Sequence, residues 1–146
     1  MTVETTSSLR IARIVSASPE EAFDAWTKPE QMRNWSCPEG IALQDLQVDL
    51  QVGGAFRLHM KDPEGQTYTA FGVYREIDRP NRVVYTWDWE EEDHQVGETV
   101  VTATFTAVGD STEVVVVHEG FPAEEAKVGH EEGWRSCLDQ YEQLFA

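Results

Sequence analysis

The sequence predicts an α+β fold: a run of antiparallel strands closed by one long helix, with two short helices after the first strand. Three observations carry this. A capped helix start, "SPEEAFDAW", follows the first apolar alternation. Two-residue alternation, cut by turn sequences, fills the middle of the chain. The closing segment "PAEEAKVGHEEGWRSCLDQYEQLFA" keeps one apolar stripe at helical spacing.

In "LRIARIVSA", Leu9, Ile11 and Arg13 alternate with Arg10, Ala12 and Ile14, a strand whose inward face the pattern leaves open. Ser18 is then an N-cap, Pro19 the first helical residue and Glu21 the partner in a capping box. Ala22, Phe23 and Trp26 form the buried stripe of that helix. Pro29 ends it, and a short second helix carries Met32 and Trp35.

Two strands flank Gly53-Gly54, the second placing Phe56, Leu58 and Met60 opposite Arg57, His59 and Lys61. "DPEG" and "DRPN" are turns. Between and after them lie "TYTAFGVYREI" and "RVVYTWDW". In the latter, Val83, Tyr85, Trp87 and Trp89 share a face. "EEEDHQVGE" is a charged hairpin loop. Val101, Ala103 and Phe105 point inward on the next strand, as do Val114, Val116 and His118 on the last, with Glu113 and Glu119 outside.

On the final helix, Trp134, Cys137, Leu138, Tyr141, Leu144 and Phe145 make the stripe, with His130 one turn before Trp134. Glu132, Arg135, Asp139 and Glu142 lie opposite. Gly133 weakens the helix by about 1 kcal/mol relative to alanine. Its expected role is to admit a close backbone neighbour while Trp134 fills the widest gap.

The totals bound the function. The 146 residues make one domain, 1–146. With 27 acidic and 11 basic residues the net charge is -16, which argues against nucleic acid and against anionic membrane surfaces. "MTVETTSSLR" has no apolar core of a signal peptide, and no stretch is apolar and long enough to span a bilayer, so the cytoplasm is expected. Cys37 and Cys137 are expected as free thiols, Cys37 exposed and open to oxidants, Cys137 buried. No zinc spacing is present, so no metal and no cofactor are assigned.

Five tryptophans fit either a cavity lined by rings or a packed core. His118 is either a cavity-facing acid–base group or a histidine satisfied inside the core, and it is placed to meet His130 across the sheet–helix gap. His59 is expected to be solvated. Glu119 and Glu131 either pair with Arg13 or Arg57 or stay on the surface. "DWEEED" is a solvated hairpin tip or a dock for a basic partner.

Several segments in order, "SPEEAFDAWTKPEQMRNW", "VGGAFRLHM", "FGVYREIDRPNRVVYTW" and "HEGF…HEEGW…CLDQYEQ", resemble the homologues of the activator of heat-shock-protein-90 ATPase, in the START-like, helix-grip superfamily. The resemblance implies a curved antiparallel sheet gripping the C-terminal helix, with a cavity between them. It also implies a choice among co-chaperones, carriers of small apolar ligands and a few enzymes such as polyketide cyclases. The expected function is a binding module for a small apolar or aromatic molecule. Its candidate ligand-binding residues are Trp26, Trp35, Tyr85, Trp87, His118, Phe121, Trp134, Leu138 and Tyr141. No catalytic residue is assigned. A chaperone-regulating interaction protein, with a chaperone as partner, is the alternative, ahead of a cyclase- or hydrolase-like enzyme. The oligomeric state is not legible.

Overall fold

The capping box forms as the sequence requires. Ser18 Oγ accepts the Glu21 N–H at 3.2 Å, and Glu21 Oε1 accepts the Ser18 N–H at 3.2 Å. Two of the helix's orphan donors are thereby satisfied at its first turn. The computed structural model describes residues 7–146. The sequence reading of residues 1–6 therefore lies outside the described residues.

The chain runs β1 (Ser7–Val15), α1 (Pro19–Thr27), α2 (Pro29–Met32), β2 (Ala42–Val48), β3 (Ala55–Lys61), β4 (Thr67–Asp78), β5 (Arg82–Trp89), β6 (Thr99–Val108), β7 (Ser111–Phe121) and α3 (Glu124–Gln143). The strands form one curved antiparallel sheet in the order β1-β7-β6-β5-β4-β3-β2. The long α3 crosses its concave face: a helix-grip architecture. Trp35 falls just beyond α2, in a turn held by backbone bonds to Met32, rather than within that helix.

Register aligns the inner residues in a rung. Leu9 pairs with His118, His118 with Val101, Val101 with Tyr85, and Tyr85 with Tyr74. A bulge between Tyr74 and Glu76 bends the sheet there. Leu9, Ile11 and Val15 settle the inward face of β1. Arg13 shares that parity, yet it reaches α3 and pairs with Asp139 (2.7 Å) and Glu142 (3.2 Å). It does not meet Glu119 or Glu131. Arg57 pairs with Glu90, and Glu131 with its helical neighbour Arg135.

The core packs α1 and the C-terminal half of α3 on β1, β7 and β6. Phe23 meets Phe105 edge to face at 5.4 Å, and Trp26 meets Tyr141 at 5.2 Å. The Tyr141 hydroxyl donates to the Ala22 carbonyl at 2.6 Å, and Trp35 Nε1 donates to the Ala25 carbonyl at 2.8 Å. The helix stripe is shorter than its pattern: Leu144 is exposed, and Phe145 packs only partly, because α3 ends at Gln143.

Two glycines show opposite uses. Gly72 pairs with Phe56, and a Cβ there would overlap the Thr86 carbonyl and lie 2.6 Å from the Phe56 ring. Its bare backbone is what lets Phe56 lie across β4. Gly133, by contrast, does not serve close packing. A Cβ on it would touch only Pro38 Cγ at 3.9 Å, and one on Gly129 would touch nothing within 4 Å. Gly129→Ala should therefore gain up to about 1 kcal/mol of helix propensity and raise the melting temperature by about 3 °C. Gly72→Ala should cost more than about 2 kcal/mol through the forced shift of Phe56 and β5. Calorimetric melting of the two variants checks both signs; a stabilised Gly72→Ala would contradict the packing described.

Candidate ligand cavity

The N-terminal half of α3 does not close onto the sheet. Between it, β3–β5, the turn after α2 and the β5–β6 loop lies a cavity of about 990 Å³. Its apolar wall has a simple origin. The inward parity of β3 supplies Phe56, Leu58 and Met60. That of β5 supplies Tyr85, Trp87 and Trp89. Trp26 and Trp35 come from the other side, from α1 and the turn after α2.

The rings form a continuous wall. Trp26 and Trp134 lie nearly parallel, 14° apart, with centroids at 5.8 Å. Trp87 stands edge-on to Trp89 at 5.4 Å and tilted to Trp134 at 6.1 Å. Trp26 Nε1 donates to the Tyr85 hydroxyl at 3.2 Å. Burial pushes the Tyr74 and Tyr85 hydroxyls up, so both stay neutral. Trp87 Nε1 and Ser36 Oγ are buried, belong to residues that line the cavity, and have no partner among the described residues.

The lips are stitched to α3. On one side the Glu39 N–H donates to Ser136 Oγ at 2.8 Å, and Gln140 donates to the Cys37 carbonyl at 2.7 Å. On the other, Trp89 Nε1 donates to His130 Nε2 at 2.9 Å. The opposite ring nitrogen of His130 donates to the Ala126 carbonyl at 2.7 Å. Gly133 lies on the helix between His130 and Ser136, Gly129 directly before His130, and both line the cavity.

Of the nine sequence-derived candidates, Trp26, Trp35, Tyr85, Trp87 and Trp134 line this cavity. His118, Phe121, Leu138 and Tyr141 do not. Leu138 and Tyr141 sit one and two turns past Trp134, where α3 already rests on the core. His118 faces inward as its parity requires, and Phe121 packs on its ring at 4.4 Å, so both are sealed beneath the wall.

His118 is consumed by structure. The Thr99 hydroxyl donates to the Trp87 carbonyl at 2.6 Å. Its oxygen must then accept from His118 Nε2 at 2.7 Å, which leaves Nδ1 to accept from Trp134 Nε1 at 3.0 Å. Burial, reinforced by His130 with its ring centroid 5.3 Å away, pushes His118 down to about 2. A neutral imidazole with both nitrogens engaged is not positioned for acid–base chemistry on a guest.

Other expectations change on inspection. Cys37 is buried, not exposed; burial pushes its thiol up to about 11, and Cys137 is raised likewise. That disfavours the reactive thiolate. His59 is half-buried, with Nδ1 2.7 Å from Thr69 Oγ1. Most of the acidic loop is internally engaged: Asp88 accepts two backbone N–H groups, Glu90 holds Arg57, and Glu91 caps Thr69. Sequence reasoning missed Tyr74 and His130 as cavity residues, although parity had placed His130 on the right stripe. It also missed Ser36, which only the turn after α2 brings to the wall.

The histidines make stability depend on pH. His118 and His130 are both held neutral, chiefly by burial, whereas in the unfolded chain histidine titrates near 6.5. As pH falls, the unfolded chain binds protons first. Stability is therefore complete above about 6.5 and declines below it, by up to about 1.4 kcal/mol per pH unit per histidine. Urea unfolding at pH 7.5, 6.0 and 5.0 should show this decline, and His118→Gln should flatten it. An unchanged slope in the variant would count against a neutral buried His118.

Comparison with solved structures agrees with the fold. A protein from Chromobacterium violaceum (CV1439) is 27% identical, with 94% of this chain and 96% of that chain covered and a TM-score of 0.88. The AHSA1 protein from Silicibacter pomeroyi (SPO3351) is 27% identical over 94% and 96%, with a TM-score of 0.84. CalU16 from Micromonospora echinospora, 23% identical over 97% and 77% with a TM-score of 0.75, shares the fold. A comparison with curated protein sequences finds no match. Among the described residues, no helix is long and apolar enough to cross a membrane. The model of one sequence family matches residues 16–146, nearly the whole of the described chain. The chain belongs to the family described as activator of Hsp90 ATPase homolog 1-like proteins.

Proposed function

We propose that the protein is a binding module that holds a small apolar, aromatic-bearing molecule between β3–β5 and α3. The observation that carries this reading is the cavity itself, about 990 Å³ and walled by tryptophan and tyrosine rings. Ligand sites of this kind span roughly 300–1,000 Å³, with mainly apolar walls and few polar groups. Trp87 Nε1 and Ser36 Oγ supply such groups. A buried polar atom without a partner costs about 1–3 kcal/mol, so a small adjustment that let a guest oxygen meet either one would favour binding. Gly129 and Gly133 support the same reading. Each costs about 1 kcal/mol of helix stability, and neither is needed for packing, but side chains there would narrow the opening.

Regulation of a chaperone ATPase is the second reading, favoured by the family description. The acidic loop, its candidate surface, has most of its carboxylates committed to internal contacts.

The test uses a neutral fluorophore, N-phenyl-1-naphthylamine. Wild type should give saturable enhancement with a micromolar Kd. Gly129→Leu/Gly133→Leu, which fills the opening without displacing backbone, should weaken binding at least tenfold with no fall in melting temperature. Absence of saturable binding, or a plugged variant that binds as wild type, would remove this function.

A further inference from the structure

The charges around the cavity say what kind of molecule it would hold. Its lining contains no lysine and no arginine. It does contain four carboxylates, Glu39, Asp93, Glu125 and Glu132, brought together from the turn after α2, the β5–β6 loop and the first turns of α3. Among the described residues none of the four enters an ion pair, whereas Asp24, Glu90, Glu98, Glu131 and Asp139 each hold an arginine. No ion pair with a described lysine or arginine offsets the negative charge of these four.

Acidic side chains on an open surface would mean only solvation. Here they are exposed residues that line the same cavity as the aromatic wall. Trp87, Trp89 and Trp134 are turned 40° and 90° from one another, so the wall presents faces in several directions. The face of an indole attracts a cation, most strongly where water is excluded, and aromatic enclosures of this kind suit alkylated ammonium groups. The lining histidine on α3 adds no positive charge. His130 donates from Nδ1 to Ala126 and accepts at Nε2 from Trp89, the pattern of a neutral ring. The net charge of -16 draws cations toward the molecule from beyond contact range. An anionic guest, by contrast, would lose hydration in a cavity that holds no lysine or arginine and is lined by four carboxylates.

We propose that the guest is an organic cation: an apolar or aromatic body carrying a tertiary or quaternary ammonium group, the body against the rings and the charge toward Glu39, Asp93, Glu125 and Glu132. This rests on the cavity reading above and assigns the chemical class of its ligand.

Three probes of one shape test it: (1-naphthylmethyl)trimethylammonium, its neutral carbon isostere 1-neopentylnaphthalene, and 1-naphthylacetate. Calorimetric titration at pH 8.0 and low salt should rank cation over neutral over anion, each step at least tenfold. Added salt should narrow the first gap. In Glu39→Gln/Asp93→Asn/Glu125→Gln/Glu132→Gln, the ratio of cation to neutral affinity should fall about tenfold. Equal binding of all three probes, or preference for the anion, overturns the cation and leaves the cavity reading standing. Failure of all three to bind overturns the cavity reading and the cation with it. An unchanged ratio in the charge-neutralised variant overturns the role given to the rim.

Discussion

A directed chain of buried hydrogen bonds fixes how the helix sits on the sheet. It runs from the Trp134 indole to His118, from His118 to the Thr99 hydroxyl, and from Thr99 to the Trp87 carbonyl. Each link has one donor and one acceptor, so the direction admits no reversal. It ties α3 to β7, β6 and β5 in turn. Because the Trp134 N–H must meet His118, the rotation of α3 about its own axis is set. The directions of the neighbouring side chains then follow from the helix's turn of about 3.6 residues. Gly133, His130 and Cys137 come to the cavity, while Arg135 and Asp139 turn to solvent. Loss of any one link would strand a polar group in the core, which is why such networks act as a unit.

The cavity follows from an imbalance between the two halves of that helix. The C-terminal half offers Leu138 and Tyr141, large enough to reach α1 and the sheet. The N-terminal half offers Ala126, Gly129, Gly133 and a half-buried His130, with Glu125 and Glu132 exposed to solvent. The facing sheet carries a bulge between Tyr74 and Glu76. The two glycines leave space there that the sheet's side chains do not fill. Rings from three sides line that space without filling it.

Much of this was legible in the sequence because local rules agreed with the tertiary outcome. The capping box, the turn pairs and the strand parities each had a short-range cause, and His118 was placed inward by parity alone. What could not be read depended on contacts between distant segments. Cys37 looked like an exposed loop residue; α3 covers it through Gln140 and Ser136, about a hundred residues away. Gly133 beside Trp134 suggested close packing, yet only the position of Pro38 reveals open space there. Phe121, Leu138 and Tyr141 shared every apolar signature with the wall residues. Sequence periodicity reports burial, and it does not distinguish a core from the lining of a cavity.

The order of strands in the sheet has a consequence for how the chain is made. From β2 to β7 each strand pairs with its immediate successor, a meander that can assemble as it is synthesised. β1 is the exception, since its sheet partner is β7, and Leu9 waits for His118. Of the seven described strands, the one made first is thus the last to find its neighbour. Until then its apolar face, with Leu9, Ile11 and Val15, is uncovered, a period in which pairing with another nascent chain competes with closure. Arg10 and Arg13, set among those residues, place charge in the segment that must wait longest.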